Sequence, residues 1–82
     1  LSESLRDAAD VVTGNQKILL ESMSELVLED DKYFMKLIPK LQTRTGLSKN
    51  IIREALRELK HNSKVIDIIH INIIAETTET FD

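Results

Sequence analysis

Leu41-Gln42-Thr43-Arg44-Thr45-Gly46-Leu47-Ser48-Lys49-Asn50-Ile51-Ile52-Arg53-Glu54-Ala55-Leu56-Arg57-Glu58-Leu59 is the stretch that decides the fold. Two helices that cross over a turn of three to four residues need a residue that tolerates a left-handed backbone at the end of the first. Gly46 supplies it. They need an apolar plug just after it, here Leu47, and a side-chain cap for the second helix, here Ser48. The second helix must then bury one face. Ile52, Ala55, Leu56 and Leu59 are spaced to share that face, and Leu41 supplies the contact from the first helix. The expected pair of helices covers residues 39–61, with Pro39 at the start, where its missing amide hydrogen costs nothing.

At about 100° per residue, Lys49, Lys60, Arg53, Arg57 and Asn50 fall within roughly one third of the second helix's circumference, beside the apolar face. Arg can read guanine O6 and N7, and Asn can read adenine N6 and N7. Lysines mainly hold phosphates. The competing reading is a solvated helix in which Glu54 supports Arg57 and Lys60-type side chains through neighbouring-turn pairs.

The charge distribution extends the same theme. The chain carries −3 overall, yet nine basic residues lie from Lys32 to Lys64, opposed only by Glu54 and Glu58, a segment charge of +7. The remainder has Arg6 and Lys17 against twelve acids, or −10. Charge segregated this way predicts one face for an anionic partner, although an ordinary salt-bridged surface would give the same numbers.

Outward from the centre, Leu5, Ala8, Ala9 and Val12 recur at helical spacing, predicting an extra N-terminal helix within residues 1–12. Thr13, Gly14 and Asn15 interrupt it, and a second helix is expected from Gln16 to Leu28 with Asn15 as its cap. Residues 33–38 fit a short strand or one helical turn. Asn62 and Ser63 stop the helix that Ser48 begins. The isoleucine-rich run from Val65 to Ile74 reads as a strand, and residues 64–75 are expected to form a wing or a dimer strand, with residues 76–82 a polar tail.

The pattern Gly46-Leu47-Ser48 followed by Ile52-Arg53-Glu54-Ala55-Leu56-Arg57-Glu58-Leu59 resembles the winged helix-turn-helix domains of bacterial and phage regulators, and the GntR-type signature in particular. The resemblance covers residues 38–69. It implies a fold that is mainly α with a small β element, a recognition helix in the major groove of double-stranded DNA, and DNA contacts from Ser48, Lys49, Asn50 and Arg53. Arg44, Arg57, Lys60 and Lys64 complete the set of expected DNA-binding residues from the basic stripe. Two departures stand out. Gln42 occupies a position where the family packs a small alanine, so its amide must reach solvent or a partner. No glycine lies between Val65 and Phe81 to turn a wing.

The expected function is a transcriptional regulator's DNA-binding module. The alternatives are a plasmid or phage replication or partition protein using the same motif, and a winged helix that contacts an acidic protein. At 82 residues the chain fits one small domain, marginal on its own. With isoleucine on both strand faces, a homodimer is expected, paired through that strand or through the N-terminal helix; the N-terminal helix covering the second face is the other possibility. The chain does not begin with Met, as a trimmed piece of a longer protein would not. Its acidic start is unlike a signal peptide, no apolar run approaches a membrane span, and the absence of cysteine fits a reducing, cytoplasmic setting. His61 and His70 are too few and too far apart for a metal site. No phosphate loop or catalytic grouping is present, so neither a cofactor nor an enzymatic activity is expected. Three aromatics, Tyr33, Phe34 and Phe81, are too few to stack single strands, which favours duplex.

Overall fold

The computed structural model describes residues 1–33 and 35–69, which form five helices. They are α1 (Ser2–Ala9), α2 (Gly14–Glu29), α3 (Leu37–Thr45), α4 (Lys49–Lys60) and α5 (Ser63–Ile69). No strand occurs among the described residues.

One apolar cluster holds the helices together. Leu19, Leu20, Met23 and Leu26 of α2 lie at its centre, because α2 packs on α1, α3 and α4. Leu5, Ala8 and Ala9 of α1 are buried, and the small side chains of Ala8, Ala9 and Ser24 suit close approach of α1 to α2. Polar bonds fix both ends of α1. The Ser2 hydroxyl donates to the Ser24 carbonyl at 2.7 Å, and the Lys17 ammonium donates to the Ala9 carbonyl at 3.3 Å. Buried Ser24 satisfies its own hydroxyl on the Glu21 carbonyl at 2.6 Å.

The helix pair forms where the sequence places it. Leu37, Ile38 and Leu41 of α3 and Ile52, Ala55, Leu56 and Leu59 of α4 are buried. Gly46 closes α3 at φ 74°, and its amide donates to the Gln42 carbonyl at 2.9 Å. Thr45 ties the turn together: its hydroxyl donates to the Leu41 carbonyl at 2.7 Å and accepts from the Leu47 amide at 3.1 Å. Ser48 caps α4, accepting from the Ile51 amide at 3.3 Å. Helix α3 starts two residues earlier than expected, which leaves Pro39 within the first turn, where amide hydrogens have no helical acceptor. Likewise α2 starts at Gly14, behind an extended Thr13, and Asn15 falls inside the helix rather than capping it.

Gly46 supports a direct test. No heavy atom lies within 4 Å of a Cβ built there, so a substitution meets open space and the cost is that of the left-handed backbone alone. Gly46→Ala is expected to cost about 1 kcal/mol, and Gly46→Val more, about 1–3 kcal/mol. Thermal melts of the two variants check the order; an unchanged melting temperature for both would remove the turn.

The expected strand is the main correction. Residues 63–69 are helical, so a wing beginning at residue 64 is ruled out, and the remainder of the expected strand, residues 70–75, lies outside the described residues, as does the tail. Asn62 decides the outcome. Its side-chain oxygen accepts from the Lys64 amide at 3.0 Å and the Val65 amide at 3.3 Å, satisfying two donors that a helix start leaves open. Val65 and Ile69, one helical turn apart, are then both buried where α5 packs on α1 and α4. The area argument for a dimer loses its basis among these residues: Val65 and Ile69 are covered within the chain, and so are Leu5, Ala8 and Ala9 of α1.

Candidate nucleic-acid interface

Helix α4 is seated on one side and open on the other. Its buried face packs on α2 and α3, while Lys49, Asn50, Ile51, Glu54, Arg57 and Glu58 are exposed. Arg53 and Lys60 are half-buried. A half-buried lysine lays its stem on apolar surface and keeps its ammonium in water, whereas Arg53 has its Nε buried. Twelve residues span about 18 Å, a length suited to a major groove about 12 Å wide.

The cations divide into two classes. On α3, Arg44 is 3.6 Å from the Glu25 carboxylate and hydrogen-bonded to Glu29, so α2 holds a residue expected on DNA. Lys40 pairs with Asp30 at 2.7 Å and also donates to the Lys32 carbonyl at 2.9 Å. The Lys40 hydrogen bond first, then the Lys32 backbone amide at 2.9 Å, hold the Asp30 carboxyl below its ordinary pKa. Part of the positive segment is therefore neutralised by the C-terminal end of α2. On α4, by contrast, Lys49, Arg57 and Lys60 join no ion pair among the described residues. Glu58 accepts from the Gln16 amide group at 2.7 Å, which ties α4 to the start of α2.

Lys49, Asn50, Arg53, Arg57 and Lys60 thus share one helix, with Ser48 at its N-terminus, its hydroxyl engaged as the cap. Lys64 is exposed in the first turn of α5, and Arg44 belongs to the α2–α3 ion pairs.

Beside the start of α4 lies a groove of about 470 Å³, lined by Met35, Lys36, Ile38, Pro39, Gln42, Lys49 and Arg53. Half-buried Gln42 borders this opening, which accounts for a polar residue where a small one was expected. Lys36, which the sequence reading passed over, stands at its edge. It is the one non-glycine residue at positive φ among the described residues, at 53°, a conformation that costs about 1 kcal/mol or more. Lys36 belongs to the basic segment, but nothing in its position along the chain marks that it lines the same opening as Lys49 and Arg53.

Among the described residues, no three His, Cys, Asp or Glu side chains converge as metal ligands, and no helix is long and apolar enough to cross a membrane. His61 terminates α4, and His70 lies outside the described residues. No protein family, curated protein or solved structure matches the chain, so the interface is defined by its own residues and geometry.

Proposed function

We propose that this domain binds duplex DNA, with α4 entering the major groove, in the manner of the GntR-like regulators its central residues resemble. The observation that carries the reading is the open face of α4. Lys49 and Asn50 stand in its first turn, Arg53 and Arg57 follow at successive turns, and Lys49, Arg57 and Lys60 join no ion pair among the described residues. Base contacts in helix-turn-helix complexes come from the start of the recognition helix. A regulatory role is the one implied by the resemblance; the replication or partition role uses the same contact and differs in the sites bound.

Fluorescence anisotropy on duplex and single-stranded oligonucleotides at stepped salt tests the proposal. Binding to duplex should be the tighter, and log affinity should fall linearly with log salt, with a slope corresponding to about four to six phosphates. A flat salt response, or equal affinity for both strand states, would overturn it. Pairing of two copies on a two-fold site belongs to the same proposal. Sedimentation of the complex with a palindromic duplex, against a half-site, decides that part.

A further inference from the structure

The outermost line of α4 is not its cationic stripe. The buried residues Ile52, Ala55, Leu56 and Leu59 centre on one side of the helix. At about 100° per residue, Asn50, Glu54 and Arg57 fall within about 30° of the opposite side. All three are exposed. Lys49, Arg53 and Lys60 lie on one flank of that line, and Ile51 and Glu58 lie on the other. A helix that enters a groove with its buried face turned away from DNA therefore carries a carboxylate, as well as an amide and a guanidinium, along the middle of its contact. Glu58 is tied to Gln16, but Glu54 joins no ion pair among the described residues, although Arg57 stands within one turn of it.

A carboxylate in that place accepts hydrogen bonds and donates none. In the major groove guanine shows O6 and N7 and thymine shows O4, all acceptors, so either base would leave the carboxylate desolvated and unpaired. Adenine sets its N7 acceptor beside its N6 donor. Cytosine shows the N4 amino donor with no acceptor of its own beside it. We infer that Glu54 selects cytosine, so that the preferred site carries a C·G pair beside the bases met by Asn50 and Arg57. The inference rests on the reading of α4 as a recognition helix. To that reading it adds the base that the site must contain and a role for a residue outside the expected DNA-binding set. The same charge repels phosphates on every sequence, so Glu54 gives up non-specific affinity for discrimination.

The test selects duplexes with a randomised core on the whole chain, at one stated salt concentration, and sequences the bound fraction. The parent should enrich cytosine at one position by at least about fivefold over the other bases. Glu54→Ala should lose that enrichment and bind mixed-sequence duplex about two- to fivefold more tightly, because a repelling charge is gone. Glu54→Gln should move the preference from cytosine to adenine, since an amide can bond N6 and N7 together. Ala and Gln are both good helix formers and position 54 is exposed, so the variants keep the fold, which circular dichroism checks. If the parent selects a sequence and Glu54→Ala selects the same one, the inference is overturned while the DNA reading stands. The same holds if Glu54→Ala lowers affinity for all duplexes alike. If the parent binds no duplex, the DNA reading has failed, and the role of Glu54 falls with it.

Discussion

Leu56→Ala is expected to remove about 2–5 kcal/mol of stability, while Ile51→Ala, on the same helix, removes less than about 1 kcal/mol. Leu56 is buried in the layer where α4 meets α2 and α3, with Ile52, Ala55 and Leu59 on the same face. Truncating it forfeits the transfer free energy of the lost carbons and leaves a cavity that surrounding helices fill only in part. Ile51 is 40% exposed, so alanine there gives up little burial and gains helix propensity in exchange for a branched side chain. A chain of 82 residues has about 4–12 kcal/mol in total. The Leu56 variant should therefore melt about 10 °C or more below the parent, and at the lower end of that range it would be largely unfolded at room temperature. Denaturant melts of the two variants make the comparison. Equal losses would mean that α4 is rotated about its axis relative to the face described, and the open face would have to be reassigned with it.

The centre of the fold was legible because its signals are local and agree with one another. Gly46 needed a left-handed backbone, Ser48 offered a cap, and the spacing of Ile52, Ala55, Leu56 and Leu59 named the buried face; each points to the same pair of helices. The last helix was misread because two local signals conflicted. β-branched isoleucines favour strand only where a pleated, half-buried surface awaits them. Here the Asn62 cap and the four-residue spacing of Val65 and Ile69 match a notch between α1 and α4, and packing overrode propensity. Asn62 was read as a stop, and the same residue also begins the next helix. Segment charge was legible, but its meaning on the surface was not. Arg44 is fifteen residues from Glu29 and nineteen from Glu25, so their pairing is a product of α2–α3 packing that no spacing along the chain announces. The groove around Lys36, Lys49 and Arg53 joins three segments and has the same origin.

Arg53→Ala is expected to weaken binding to a preferred duplex by about 1–3 kcal/mol, roughly five- to 150-fold, and to relax the preference at one base pair. Arg53 is half-buried, borders the groove with Gln42 and Pro39 and has its Nε buried, so its side chain is supported against α3. A supported, planar fork can make paired hydrogen bonds to guanine, and Lys in its place keeps the charge but not the fork, so Arg53→Lys should retain the salt dependence while losing the base preference. Lys60, at the far end of the helix, should behave differently. Lys60→Ala should weaken all duplexes alike and reduce the slope of log affinity against log salt by about one, as expected for one lost phosphate contact. Because truncating Arg53 also removes packing from its stem, melting temperatures are measured beside affinities, and only a loss of affinity in a folded variant counts. Negligible and equal losses from Arg53→Ala and Lys60→Ala would withdraw α4 as a recognition helix, whereas a uniform loss from Arg53→Ala across all sequences would keep it on DNA and reassign Arg53 to the phosphates.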